Sequence, residues 1–265
     1  MSETTTESGR VLAVVIPAYN EEATIARILR AVDDLPCVRE ILVVDDCSSD
    51  RTAEIVASFA SPRVRLIRQP RNQGKTAAVR RGLDEVTSPI TIIQDADEEY
   101  DPAEIPSVIE PILSGRADVV YGSRFLVKRA ARVLYFYHYV ANKALTFLCN
   151  LLTNMNMTDI ETCYKAFRTP IVQQIPLTSR GFGMEVEITA MIAKTRARVY
   201  EAPISYYGRT YDEGKKIGLR DGILALWYII YYNLIYAAAP ACRTYVRSID
   251  RWLDEQKVAE ATKKA

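Results

Sequence analysis

The 265-residue chain carries 34 Lys+Arg against 33 Asp+Glu, a formal net charge of +1, with 49% hydrophobic and 25% charged residues. These proportions exclude wholesale disorder and low-complexity classes, and the length suffices for one large domain with a sizeable core. A general nucleic-acid coat is excluded too, because it needs a uniformly basic field to release counterions.

The N-terminal segment MSETTTESGR is polar and acidic, so it reads as a flexible lead of residues 1–10 and not as a secretory signal. From Val11, β-branched runs alternate with helical patterns. VLAVVI (Val11 to Ile16) precedes a helix from about Glu21, with Ile25, Ile28, Leu29 and Val32 on one stripe. EILVVD (Glu40 to Asp45) precedes a helix opened by Ser49, Asp50 and Thr52; VRLIRQ (Val64 to Gln69) precedes one near Lys75 to Val86. ITIIQ (Ile90 to Gln94) precedes a helix near Pro106 to Leu113, and a fifth run begins at Ala117. Continuously apolar strands alternating with helices predict an α/β fold with a mostly parallel sheet covered on both faces.

After Gly122 the pattern changes. Interface helices are expected over about 130–153, where an aromatic and aliphatic stretch from Val133 to Leu152 has Lys143 as its only formal charge, and Ile223 to Cys242 form a second, uncharged stretch. Both contain Tyr and Asn, which favours amphipathic helices at a bilayer surface over clean spans. Tyr228, Tyr232 and Tyr236 fall on one helical face of the second stretch, and basic residues flank it. The expected organisation is a catalytic domain over 11–222, followed by an apolar helix and charged tail over 223–265.

In a parallel sheet the ligand sits beyond the carboxyl ends of the strands. Those ends read PAYNEE, DDCSSD, QPRNQGK, QDADEEYD and YGSRF. Asp95 and Asp97, one residue apart after a buried strand, suit a hard divalent cation that keeps other positions for phosphate oxygens. A plain acidic turn is the competing explanation. NQGKT (Asn72 to Thr76) lacks the spacing of a P-loop, because Gln69 stands where that motif needs glycine. Lys75 can still face a nucleotide phosphate at a helix start. His138 is the single histidine, so Ser/His/Asp hydrolysis is excluded unless that residue sits far from its sequence neighbours. The five cysteines form no CxxC pair and read as reduced thiols of a cytosolic protein.

Eight segments occur in order: VVIPAYNEEATI, VVDDCSSDRT, NQGKTAAVRRGL, IIQDADEEYDP, YGSRF, TDIETCYKAFR, GFGMEVEI and PISYYGRTYDEGKKI. Together they resemble family-2 glycosyltransferases of GT-A fold, and within them the dolichol- and undecaprenyl-phosphate sugar synthases. The resemblance covers about Val11 to Ala225. It implies that Pro17, Tyr19, Glu21, Asp46, Lys75, Asp95 and Ala96 hold a UDP- or GDP-sugar. It implies that Asp95, Asp97 and Glu99 hold Mg²⁺ or Mn²⁺, with Glu99 at a position often occupied by Gln. Arg124, Arg132 and Arg209 would gather the phosphate of a polyprenyl phosphate acceptor, with Asp97, Asp159, Arg124 and Arg209 the catalytic group. The segment after Gly208 would close as a lid. The expected activity is inverting sugar transfer at the cytoplasmic face of a membrane by a peripheral or monotopic protein, with oligomeric state open. A non-lipid acceptor, or a catalytically silent nucleotide-sugar-binding scaffold, are the alternatives.

Overall fold

The computed structural model describes residues 9–126, 135–181, 183–208 and 219–264. Strands β1 (Leu12–Ala18), β2 (Val38–Asp45), β3 (Val64–Arg68), β4 (Ile90–Ile93), β5 (Val119–Ser123), β6 (Lys165–Arg168) and β7 (Val199–Pro203) form one sheet of order β3-β2-β1-β4-β6-β5-β7. Neighbours β3, β2, β1 and β4 run parallel, as do β5 and β7, whereas β6 is antiparallel to both β4 and β5. Side chains alternate across such a sheet. Leu12, Val14 and Ile16 therefore face one core and Ala13 and Val15 the other.

The first core is covered by α1 (Ile25–Asp33) and α4 (Ile105–Leu113), whose apolar stripes Ile25, Ile28, Leu29, Val32 and Ile105, Val108, Ile109, Ile112 are buried. On the opposite face lie α3 (Lys75–Leu83), α6 (Thr169–Gln173) and α7 (Gly183–Ile192). Helix α2 (Thr52–Ala57) packs near the β3 edge. At Gly82 a Cβ would stand 2.5 Å from Val15 Cγ1, so a side chain there would push α3 off the sheet. That close seat fixes where Lys75, at the other end of α3, projects.

Helix α5 (Phe136–Thr153) buries only Thr146 and Cys149 while leaving Phe136, Tyr137, Phe147 and Leu151 exposed. It leans on α8 (Leu219–Ile230). The apolar stretch expected as one helix over 223–242 is broken. Helix α8 passes into a π-helical turn (Tyr231–Ile235) and a 3₁₀ turn (Tyr236–Ala238), then bends by 82° into α9 (Pro240–Lys264). Among the described residues, no single helix is long and apolar enough to cross a membrane.

The tyrosine face points inward. Tyr232 is buried, stacks on Tyr228 at 5.8 Å and shares a hydrogen bond of 2.9 Å with Thr178. The exposed apolar side chains of that region are instead Ile223, Leu224, Trp227, Leu234 and Ile235. The C-terminal segment is the helix α9, docked through Tyr245, Ile249 and Leu253 in the core, while its charged residues beyond Leu253 are mostly exposed.

Candidate active site

The site lies along one edge of the sheet because every parallel strand ends there. Antiparallel β6 adds a second contribution, since the residues before it, Asp159 to Tyr164, arrive at the edge where β4, β5 and β7 finish. Residues thirty or more positions apart meet in this way.

The loops after β1 and β2 are stitched together. Asn20 N–H donates to Ser48 Oγ at 3.0 Å, Ser49 N–H to Asn20 Oδ1 at 2.8 Å, and Glu21 N–H to Thr52 Oγ1 at 2.8 Å. Asn20 and Cys47 both take left-handed backbone (φ 56° and 63°), which sharpens the two turns. Pro17, next to last in β1, is half-buried, and Tyr19 stands exposed just beyond the strand. Asp46 is committed to the third loop: Oδ1 accepts from Gln69 Nε2 and Gln73 N–H, both at 2.8 Å, and Oδ2 from Gly74 N–H at 2.7 Å. Gly74 adopts φ +88°, a region disfavoured for other residues, and hands the chain directly to α3. One carboxylate therefore fixes the start of the helix that carries Lys75.

The Lys75 ammonium lies 2.6 Å from Asp95 Oδ1. Burial would lower its pKa, but the charges of Asp95, Cys163 and Glu185 hold it well above the usual lysine value. Ala96 is buried, so Asp95 and Asp97 flank an inward-packed residue. Asp97 Oδ1 accepts from Glu99 N–H at 3.1 Å, and its carboxyl is pushed up to about 7 by burial and by the Asp95 and Glu99 charges. Glu98 takes φ 63° and is gripped by Arg27, whose Nε and Nη2 each donate at 2.6 Å. Crowded, partly desolvated carboxylates fit a divalent cation, which would relieve their mutual repulsion. Among the described residues no three acidic, cysteine or histidine side chains form a ready ion cage. Such a donor set is suited to a cation that also takes oxygens from substrate.

Beyond β5, Arg124 and Asp159 form a fork: Nε to Oδ2 at 2.7 Å and Nη2 to Oδ1 at 2.8 Å. Burial alone would raise the Asp159 pKa; the guanidinium instead holds it below the ordinary carboxylate range. The loop carrying Asp159 is clamped by Glu201 of β7, which accepts from Thr158 N–H at 2.9 Å and Asp159 N–H at 3.2 Å. Lys143 of α5 reaches the same loop, donating to Thr158 O at 3.0 Å with its ammonium 4.2 Å from the Phe125 ring centroid.

Behind the edge lies a charged cluster of Lys165, Glu161 and Glu185. Lys165 is buried and donates to the carbonyls of Ile160 and Thr162, with its pKa lowered by burial. Glu161 is half-buried, its Oε1 is sealed from solvent without a hydrogen-bond partner, and burial together with Glu185 pushes its pKa up to about 8. The structure brings Lys75, Asp95, Asp97 and Glu99 to one loop system, and Arg124 and Asp159 beside it. Arg132 and Arg209, with the expected lid, lie outside the described residues. Tyr206 and Glu201 were missed because an aromatic or acidic residue within a strand-end segment gives no one-dimensional signal of what it touches.

An acidic loop at the carboxyl edge of a seven-stranded mixed sheet, with the half-buried Arg124 beside it, is an arrangement of the GT-A type. The glycosyl transferase family 2 model matches residues 13–175, more than half of the chain, and the protein belongs to that family. A dolichol-phosphate mannosyltransferase of Pyrococcus furiosus is 30% identical over 213 residues, spanning 78% of this chain and 59% of that relative. The chain thus spans less than two thirds of that relative's length. An undecaprenyl-phosphate mannosyltransferase of Micrococcus luteus is 28% identical over 222 residues, spanning 79% of this chain and 88% of its own. Glucosyl-3-phosphoglycerate synthase from Mycobacterium tuberculosis, solved with Mn²⁺, UDP and phosphoglyceric acid, superposes with a TM-score of 0.69. It covers 87% of this chain and 81% of its own at 20% identity, a likeness of fold.

Proposed function

We propose that the protein is an inverting glycosyltransferase that moves a sugar from a UDP- or GDP-sugar to a polyprenyl phosphate at a membrane surface. The observation that carries this reading is the fork between half-buried Arg124 and buried Asp159, beside the acidic loop and near the exposed apolar face of α5. The relatives that act on dolichol phosphate and undecaprenyl phosphate support it.

On the donor side, Pro17, Tyr19, Glu21 and Asp46 border the nucleoside, with Asp46 acting through the Gln69–Gln73–Gly74 loop that it organises. Asp95 and Asp97 would hold Mg²⁺ or Mn²⁺, with Glu99 adding charge. Such an ion supplies Lewis-acid neutralisation of the leaving diphosphate. Lys75, drawn from Asp95, serves as a second cation for the same phosphates.

On the acceptor side a phosphate monoester needs no general base, because its second pKa of about 6 leaves an oxyanion at neutral pH. It needs cations that hold it in line. Asp159 takes the Nε–Nη2 edge of Arg124, which aims the rest of the guanidinium at the phosphate; Arg132 and Arg209 complete that cluster. The phosphate oxygen bonds to the anomeric carbon as the bond from that carbon to the diphosphate oxygen breaks on the opposite face. Asp159 acts by holding Arg124.

The test is release of UDP or GDP from a panel of nucleotide sugars, with Mn²⁺ and either undecaprenyl phosphate or phosphoglyceric acid. Wild type should turn over the lipid phosphate, and Asp97→Ala should reduce the rate at least a hundredfold. Turnover confined to phosphoglyceric acid would replace the lipid reading with a soluble acceptor.

A further inference from the structure

Tyr206 lies three residues beyond the end of β7 and connects parts of the site that no strand connects. Its hydroxyl donates to Glu99 Oε2 at 2.9 Å. Its ring centroid lies 5.1 Å from Arg124 Cζ and 5.6 Å from the Tyr100 ring centroid. The adjoining backbone is fixed as well: Tyr207 N–H donates to Glu99 O at 3.0 Å, and Ser205 donates to Glu104 through N–H at 2.8 Å and Oγ at 2.9 Å. One half-buried side chain thus touches the last carboxylate of the acidic loop and the guanidinium of the fork.

We propose that Tyr206 is a positioning residue for the cation-binding loop: its hydroxyl sets the Glu99 carboxylate beside Asp97, and its ring, seated between Tyr100 and Arg124, fixes where that hydroxyl stands. Glu99 is one of the charges that act on Asp97, so its orientation sets the field a divalent cation meets. Hydrogen bonds behind a metal site tune affinity by orienting charged groups, and losing one costs about 10- to 100-fold in affinity or activity. The packing explains why the hydroxyl is held: the ring has cationic and aromatic neighbours, so it does not swing away when Glu99 moves. Phenylalanine would keep the ring contacts and lose only the donor.

The inference rests on the reading of Asp95 and Asp97 as a cation site, and the experiment separates the two. Mn²⁺ is titrated into the full chain with UDP in one series and GDP in another, and free Mn²⁺ is followed by electron paramagnetic resonance. Tyr206→Phe should weaken Mn²⁺ binding by about tenfold with the unfolding midpoint unchanged. Glu99→Gln should weaken it too, and the double variant should bind no more weakly than Glu99→Gln alone, because the tyrosine acts through that carboxylate. Tyr206→Leu, which removes ring and hydroxyl together, should bind at least as weakly as Tyr206→Phe. Wild-type affinity in Tyr206→Phe, or losses that simply add in the double variant, would overturn the inference and leave the cation site standing. Wild type that binds no Mn²⁺ in either series would overturn both.

Discussion

Lys75 Nζ sits 2.6 Å from Asp95 Oδ1, so the acidic loop carries its own cation at the head of α3. An ammonium and a divalent ion cannot both occupy that oxygen at close range without repulsion. Lys75→Met should therefore bind Mn²⁺ more tightly than wild type in the nucleotide-free protein, by roughly tenfold, while turnover falls because the diphosphate loses a cation. Electron paramagnetic resonance of free Mn²⁺ measures the first effect and nucleotide release the second. Equal or weaker Mn²⁺ binding would show that Lys75 does not compete for Asp95.

The Arg124–Asp159 fork has a calculable acid limb. Asp159 is fully buried and its folded pKa lies below the ordinary carboxylate value, because Arg124 outweighs the effect of burial. A depressed carboxylate contributes stability that is complete above its unfolded pKa of about 3.9 and disappears as pH falls through the folded value. Asp159→Asn should cost about 2–3 kcal/mol at pH 7 and progressively less below pH 4. Urea unfolding at pH 7 and pH 3 compares the two. A gap that stays constant across that range would mean that the charge of Asp159 is not what stabilises the loop. Arg124→Lys keeps the charge but loses the planar fork, and should lower turnover by one to two orders of magnitude.

Much of this arrangement was legible in one dimension. The apolar runs of β1, β2, β4 and β5 and the stripe of α1 predict the sheet and its cover, because each buries a continuous face. The strand-end carboxylates announce Asp95 and Asp97, since a buried strand seldom ends in such a cluster without partners. Three things were not legible. The antiparallel direction of β6 depends on which neighbours compete for its four-residue segment, and that direction alone sets Asp159 against Arg124. The Tyr228–Tyr232–Tyr236 face has the periodicity of an interfacial helix, but the same periodicity serves a core seam, and packing against Thr178 decides the matter. The burial of Lys165 and Glu161 leaves no mark in the sequence, because burial is a property of the neighbours and not of the residue.

Glu161 should make the protein less stable as the pH rises. Unfolded, a glutamate titrates near 4.3; folded, this one is pushed up to about 8 by burial and by Glu185. Between those values the folded chain keeps a proton that the unfolded chain has released, so unfolding becomes easier through that window. Glu161→Gln is permanently neutral and should remove the slope, so that its lead in stability over wild type widens from pH 5 to pH 8.5. Chemical denaturation at the two pH values provides the comparison. A loss of stability at both would mean that Glu161 is ionised and paired with Lys165 throughout.

The exposed face of α5 should govern attachment to lipid. Phe136, Val140, Phe147 and Leu151 recur at helical spacing and are exposed, with Ile223 and Trp227 of α8 exposed as well. Helices of this kind lie along the headgroup boundary, where apolar side chains insert and polar ones stay wet. Phe147→Glu with Leu151→Glu replaces exposed groups, so the unfolding midpoint should stay within about 0.5 kcal/mol of wild type. Co-sedimentation with vesicles of phosphatidylglycerol and phosphatidylethanolamine should fall at least tenfold, since each carboxylate would have to enter the boundary. Turnover of a short, water-soluble prenyl phosphate should persist, because the Arg124–Asp159 fork is untouched. Unchanged sedimentation of the double variant would exclude α5 as the attachment face.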